Sequence, residues 1–193
     1  MSFHLGFVSG ATPDKWARTW RDRSREGLRL VPLEEETQLD ALRSGELDMA
    51  LVRLPIERDG LHCIPLYAER PVVVVGVEHP VTAADAEEGV TLADLVDEQL
   101  VLPHASGWTP EVDQLDWPAM SVKDAVEVVA SGSGVAIMPM SVARLHSRKD
   151  VAWRPVSDLP DTTIGLTWLL DNEDPRVQTF IGIVRGRGER SSR

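Results

Sequence analysis

Apolar and polar positions come in blocks along this chain, and the period of each block predicts an element. Phe3-His-Leu-Gly-Phe-Val8 reads as a strand and Ser9-Gly-Ala11 as a turn. Thr12 then Pro13 is a helix start, with a capping hydroxyl and a proline at the first helical position. Trp16 and Trp20 lie one turn apart on one face of that helix. Leu28-Arg-Leu-Val31 is a second strand. Leu39, Leu42 and Leu47 are the apolar positions of an amphipathic helix, capped by Thr37 or the acids before it, with Gly45 able to take the left-handed conformation that ends it. Met49-Ala-Leu-Val52 is too short and too apolar for a second helix and predicts a buried strand. Arg53 then stands at the carboxyl end of that strand, where open α/β sheets place ligand crevices. Residues 3–54 therefore spell β-α-β-α-β, a parallel sheet with right-handed crossovers.

The middle of the chain repeats the theme. Val72 to Val77 is a buried strand, Thr91-Leu-Ala-Asp-Leu95 a short capped helix, and Gln99-Leu-Val-Leu102 a strand stopped by Pro103. Residues 104–119 carry two prolines and two tryptophans and read as a long loop with room for one short helix. Val122 to Ala130 is a helix with Val126, Val129 and Ala130 inward. Ser131-Gly-Ser-Gly134 breaks it, Val135-Ala-Ile-Met138 is a strand, and Pro139 to Leu145 restarts a helix. Val151 to Val156 and Thr163 to Leu170 are strands, and Asp174-Pro175 opens a last helix through Val184. The polar run Arg185 to Arg193 reads as a disordered tail.

The totals narrow the class. A length of 193 residues suits one domain or two small lobes, long enough to bury a core without staples. A net charge of −11 argues against this chain gripping nucleic acid by itself, because phosphate contact needs a concentrated basic face. The charge is uneven: Glu78, Asp85, Glu87, Glu88, Asp94, Asp97 and Glu98 crowd one stretch, while Lys15, Arg18, Arg21, Arg23 and Arg25 crowd the first helix and its end, read as a solvated face. The apolar runs are too short to span a bilayer, and Met1-Ser-Phe-His-Leu-Gly lacks a secretion leader's basic start and long apolar stretch. Cys63 is the single cysteine, which excludes a disulfide within the chain and points to a cytoplasmic setting.

Several phrases, in order, resemble one family. The run Gly45-Glu-Leu-Asp-Met-Ala-Leu-Val-Arg-Leu-Pro55 is joined by His4-Leu-Gly-Phe-Val8, Leu66 to Val75, Glu78-His-Pro80, Val90 to Leu95, Glu127 to Pro139, Asp150 to Asp158 and Thr167-Trp168. Together they are similar to the effector-binding domain of LysR-type transcriptional regulators. The resemblance implies an α/β fold of two Rossmann-like lobes joined by two crossover strands, the type 2 periplasmic binding protein arrangement. Lobe I would hold residues 1–69 and 157–193, and lobe II residues 70–156. A small polar or carboxylate-bearing effector would lie between the lobes, no cofactor or metal would be required, and lobe I and lobe II helices would pair two copies as a homodimer. Full-length regulators of the family begin with a winged helix-turn-helix, whereas this chain opens directly on a sheet strand at Phe3, so that module is expected to be absent.

In such a cleft, unpaired N–H groups at helix starts favour negative ligand groups. Four turns would contribute: Ser9 to Thr12, with Ser9, Gly10 and Thr12; Glu34 to Thr37, with Glu35 and Thr37; Pro103, His104, Ala105, Ser106 and Gly107; and Ala119-Met-Ser121. Thr12 and Thr37 are alternatively plain helix caps, and His104 a packing residue. By the resemblance Arg53 meets an effector carboxylate with its bidentate fork; alternatively it forms a salt bridge to Asp48 or a lobe-closing contact. Glu34-Glu35-Glu36 cuts against an anionic ligand. The three acids either point to solvent, are compensated by Arg53 or a helix dipole, or meet an effector carrying an amino group. Trp108 and Trp117 fall in the second-lobe loop, where they would either pack or cover an apolar ligand part.

Two other classes compete. A solute-binding protein for transport would use the same cleft but needs a route out of the cytoplasm. An enzyme would need a nucleophile-base pair, metal set or cofactor loop, and none stands at usable spacing: Ser131-Gly-Ser-Gly134 lacks the nucleophile-elbow pattern, and Gly186-Arg-Gly188 lacks the strand-turn-helix of a dinucleotide fingerprint.

Overall fold

The computed structural model describes residues 2–186, and the chain divides into two compact units. Unit 1 comprises residues up to Tyr67 and from Thr163 onward; unit 2 runs from Ala68 to Thr162.

Unit 1 is built from β1 (Phe3–Val8), α1 (Asp14–Arg23), β2 (Leu28–Leu33), a 3-10 turn (Glu35–Thr37), α2 (Asp40–Arg43), β3 (Met49–Leu54), β4 (Leu61–Glu69), β8 (Thr162–Leu169) and α5 (Pro175–Val184). Its five strands run in the order β2-β1-β3-β8-β4. β1 pairs parallel with both β2 and β3, and β8 returns antiparallel beside β3. The parallel β-α-β-α-β opening is thus as the periodicity predicts. β4, which the sequence did not announce as a strand, takes the far edge.

β3 is buried on both faces, which explains its unbroken apolar run. Met49 and Leu51 join Phe3, Leu5, Trp20, Ile164, Leu166 and Phe180 on the side covered by α1 and α5. Ala50 and Val52 join Leu42, Leu47 and Leu61 on the other, under α2. Each such large side chain contributes about 1.5–3 kcal/mol through the water it sheds. Trp20 stacks on Phe3 at 4.9 Å and donates its indole N–H to the Glu26 carbonyl (2.9 Å), so its polar atom is satisfied where its rings are buried. α2 is one turn long and ends in a Schellman motif: Glu46 N–H reaches the Ala41 carbonyl (2.9 Å), Gly45 N–H the Leu42 carbonyl (3.1 Å), and Gly45 has φ +77°.

Two local expectations are corrected. α1 begins at Asp14 with Pro13 in the cap position, and no side-chain hydrogen bond caps it, so Thr12 is not its cap. Thr37 ends the 3-10 turn rather than capping α2, whose cap position is Leu39.

Unit 2 holds β5 (Pro71–Gly76), two 3-10 turns (Pro80–Ala83 and Leu92–Leu95), α3 (Val122–Ala130), β6 (Ala136–Pro139), α4 (Met140–Leu145) and β7 (Val151–Pro155). Here the theme is not repeated. The three strands run β6-β5-β7 and both pairings are antiparallel. Parallel contacts survive as single bridges, Val90 with Val156 and Leu100 with Val135. Residues 99–102 make one bridge rather than a strand, and glutamine side chains fasten this stretch to residues 114–115. Gln114 Oε1 accepts the Leu100 N–H (2.7 Å), and Gln99 Oε1 accepts the Leu115 N–H (2.8 Å). Residues 104–119 contain no helix.

Val72, Val74 and Met138 pack with α3 and α4 on one face of this sheet, and Val73, Val75 and Ile137 with Leu95, Leu100 and Leu159 on the other. Trp117 packs against the first of these clusters and Trp108 against the second. The helix break at 131–134 is also a close contact: a Cβ on Gly134 would stand 2.4 Å from the Gln99 carbonyl oxygen. Where the sequence predicts a short capped helix, the chain forms the 3-10 turn Leu92–Leu95, with Thr91 and Asp94 as a reciprocal capping box. The polar tail lies, from residue 187 onward, outside the described residues.

Candidate functional site

The carboxyl ends of β1 and β3 are staggered, and the candidate site is built in that step. β1 pairs with β3 from Leu5 and Met49 only as far as Phe7 and Leu51, and β1 itself stops at Val8. β3 continues to Leu54, still paired to β8 through Arg53 and Ile164. On its other side the Arg53 backbone has no strand to meet. Gln38 fills the gap: its side-chain Oε1 accepts the Arg53 N–H (2.8 Å) and its Nε2 donates to the Arg53 carbonyl (3.0 Å). One amide side chain thus replaces a strand neighbour, and two backbone groups at a buried position are satisfied. Gln38 was not singled out in the sequence. The two strands are equally long, and only their stagger, which is set by register, calls for a polar partner there.

The Arg53 side chain is buried, with 4% of it exposed, and its fork is occupied on both prongs. Nη1 donates to Glu35 Oε2 at 2.5 Å and Nη2 to the Ser9 carbonyl at 3.2 Å. The expected alternative partner, Asp48, is engaged elsewhere: it accepts the His4 N–H (2.7 Å) and sits 3.8 Å from Arg176. The acid turn that cut against an anionic ligand is therefore compensated by Arg53 itself, through Glu35. Glu35 remains half open, with 48% of its side chain exposed, whereas Glu34 and Glu36 face solvent.

Ser9, Glu35 and Arg53 are thus brought together, and Gly10 adjoins them with φ +84°, a conformation that other residues rarely adopt. Thr12 and Thr37 are both exposed in the turns that flank this group.

The second set of expected residues lies in unit 2. Pro103 and Ala105 are exposed, and His104 is half-buried. The loop is self-fastened. His104 Nδ1 accepts from the Ser106 N–H (3.2 Å) and lies 2.7 Å from Ser106 Oγ, which in turn accepts the Trp108 N–H (3.2 Å). Gly107 closes the turn with φ +75°. An Nδ1 that accepts the backbone N–H carries no proton, which places the ring proton of the neutral imidazole on Nε2. Burial pushes the His104 pKa below its ordinary value, so the neutral form is favoured further.

Among the described residues no group of three or more His, Cys, Asp or Glu side chains could hold a metal ion, and no helix is long and apolar enough to cross a membrane. Burial raises the pKa of the Cys63 thiol, which favours its protonated form.

The chain is 32% identical over 138 residues to a probable hydrogen peroxide-inducible genes activator of Mycobacterium avium, covering 65% of this chain and 44% of that one. It is 27% identical over 201 residues to the Hca operon transcriptional activator HcaR of Escherichia coli K12, covering 95% and 67%. The chain spans about half the length of the curated relatives it matches. The BenM effector binding domain with its effector benzoate shares the fold: the TM-score is 0.75 at 22% identity, over 96% of this chain and 90% of that one. The sequence profile described as LysR substrate binding domain matches residues 25–189, taking in the Gln38 clamp, the Glu35–Arg53 pair and all of unit 2, and the chain belongs to that family.

Proposed function

We propose that this chain is the effector-sensing part of a LysR-type transcriptional regulator working in the cytoplasm. A small polar molecule binds at the carboxyl ends of β1 and β3, with Ser9, Gly10, Thr12, Glu35, Thr37 and Arg53 as one wall. Pro103, His104, Ala105, Ser106 and Gly107 are the ligand-binding candidates of unit 2. In this reading the two units are the family's two lobes. Ligand affinity that differs between their open and closed arrangements shifts the population and, through it, the geometry of a dimer.

The observation that carries the reading is the clamp on Arg53. A cation held buried at the tip of a parallel strand, with its backbone pinned by Gln38, is a positioned group and not a mobile surface charge. The relatives named for peroxide response suggest thiol oxidation as an alternative trigger. With Cys63 as its single cysteine this chain cannot form an internal disulfide, which favours a bound ligand.

The exposed basic residues of α1, Lys15, Arg18 and Arg21, and the exposed acids of α3, Asp124 and Glu127, support pairing of lobe I and lobe II helices between two copies. Sedimentation analysis that finds a monomer at all working concentrations rejects that pairing. For the sensing role, a thermal-shift screen against small metabolites is expected to raise the melting temperature with at least one compound, and the size of the rise should change in Arg53→Met. A melting temperature that no metabolite moves refutes it.

A further inference from the structure

The structure answers a question that the sequence leaves open: which charge the effector carries where it meets unit 1. Building on the effector-site reading above, we propose that Glu35 is the specificity-determining residue of that site. Its carboxylate already occupies the place on Arg53 that an effector's carboxylate would take, so the site selects an effector with an amine-type head group.

Three observations support this. Arg53 is buried and both prongs of its fork are spent, one on Glu35 and one on the Ser9 carbonyl. An incoming carboxylate must therefore displace Glu35 or share the guanidinium with it, and two carboxylates on one cation repel each other. Secondly, the Arg53 side chain is buried and projects from a strand end that Gln38 fixes at the backbone N–H and carbonyl (2.8 and 3.0 Å), so it has little room to turn to a new partner. Thirdly, Glu35 uses one oxygen on Arg53 while about half of its side chain stays exposed, with 48% accessible. A carboxylate in that position accepts hydrogen bonds from a ligand, and ammonium N–H groups are the matching donors. Glu34 and Glu36, exposed on either side, reinforce that sign without touching Arg53.

The test is calorimetric titration near pH 7 of the chain with two probes of equal ring and opposite charge, benzoate and benzylamine. Wild type is expected to bind benzylamine in preference. Glu35→Gln should lose benzylamine and gain benzoate by about tenfold or more, because the fork is released to the probe. Glu36→Gln makes the same change in net charge away from Arg53 and is expected to behave as wild type. If Glu35→Gln folds poorly, Glu35→Asp shortens the arm and should give a change of the same direction and smaller size. Benzoate bound as tightly by wild type as by Glu35→Gln overturns the inference alone, as does an equal gain in Glu36→Gln. Silence of every variant toward both probes overturns the effector-site reading and takes the inference with it.

Discussion

Two glycines in unit 2 share a left-handed backbone but differ in what surrounds them, and alanine at each should separate strain from clash. Gly132 has φ +79° and a Cβ there would have nothing within 4 Å. Gly89 has φ +73°, and its Cβ would stand 2.0 Å from the Pro155 carbonyl oxygen, 2.7 Å from the Pro155 carbonyl carbon and 2.9 Å from the Pro155 Cβ. For Gly132→Ala the cost is the left-handed penalty alone, about 1–2 kcal/mol, partly offset by the stiffer unfolded chain. Gly89→Ala adds a collision with backbone. Non-bonded atoms prefer separations of roughly 3.5 Å, so the segment must retreat from β7 by about 1 Å or more. That retreat stretches Val90 N–H to the Pro155 carbonyl (2.8 Å) and Ser157 N–H to the Val90 carbonyl (2.8 Å), the two bonds around the buried Val90 and Val156 side chains. At about 1 kcal/mol each, these bring the expected cost of Gly89→Ala to about 3–4 kcal/mol. Urea unfolding followed by far-UV circular dichroism and tryptophan fluorescence measures both, with unchanged slope as the control for a comparable transition. Gly89→Ala no more destabilising than Gly132→Ala refutes the packing of Val90 against Val156.

Three further predictions concern other positions. Gln38→Leu removes the clamp and leaves the Arg53 N–H and carbonyl without it; a loss of about 2–3 kcal/mol is expected in the same urea assay, and a neutral result rejects the clamp. Because burial lowers the His104 pKa in the folded chain, the unfolded chain binds more protons as the pH falls. Its contribution is therefore complete above its unfolded pKa of about 6.5 and declines as the pH drops through that value until the lower folded pKa is passed. Urea midpoints at pH 7.5 and 5.5 should differ less in His104→Gln than in wild type, and an equal difference sinks the claim. Ser121 accepts the Asp124 N–H at the start of α3, so Ser121→Ala should cost about 1 kcal/mol by urea unfolding, and no loss would mean the cap is idle.

What was legible in the sequence was whatever depends on local periodicity and local chemistry. The apolar runs of β3 and β5 announce strands buried on both faces, because no exposed position interrupts them. Gly45 and the Thr91–Asp94 box mark where backbone groups run out of helical partners. Ser9, Glu35 and Arg53 stood out as a strand end and the turns beside it, a rule of position that needs no coordinates. Tertiary structure alone decided the rest. Whether unit 2 pairs its strands parallel or antiparallel depends on contacts between Val72 to Val74 and partners some 65 and 80 residues away, and β propensity is blind to direction. Which acid Arg53 takes could not be read either. Asp48 is nearer in sequence, but it lies toward the start of β3, beside His4 and Arg176, while Glu35 closes over the strand's end. The same holds for Gln38, whose role exists only because β1 stops before β3 does. Sequence determines which groups need partners, since burial and hydrogen bonding are demands each residue carries with it. The fold determines which partner answers, since that depends on where strands end in space.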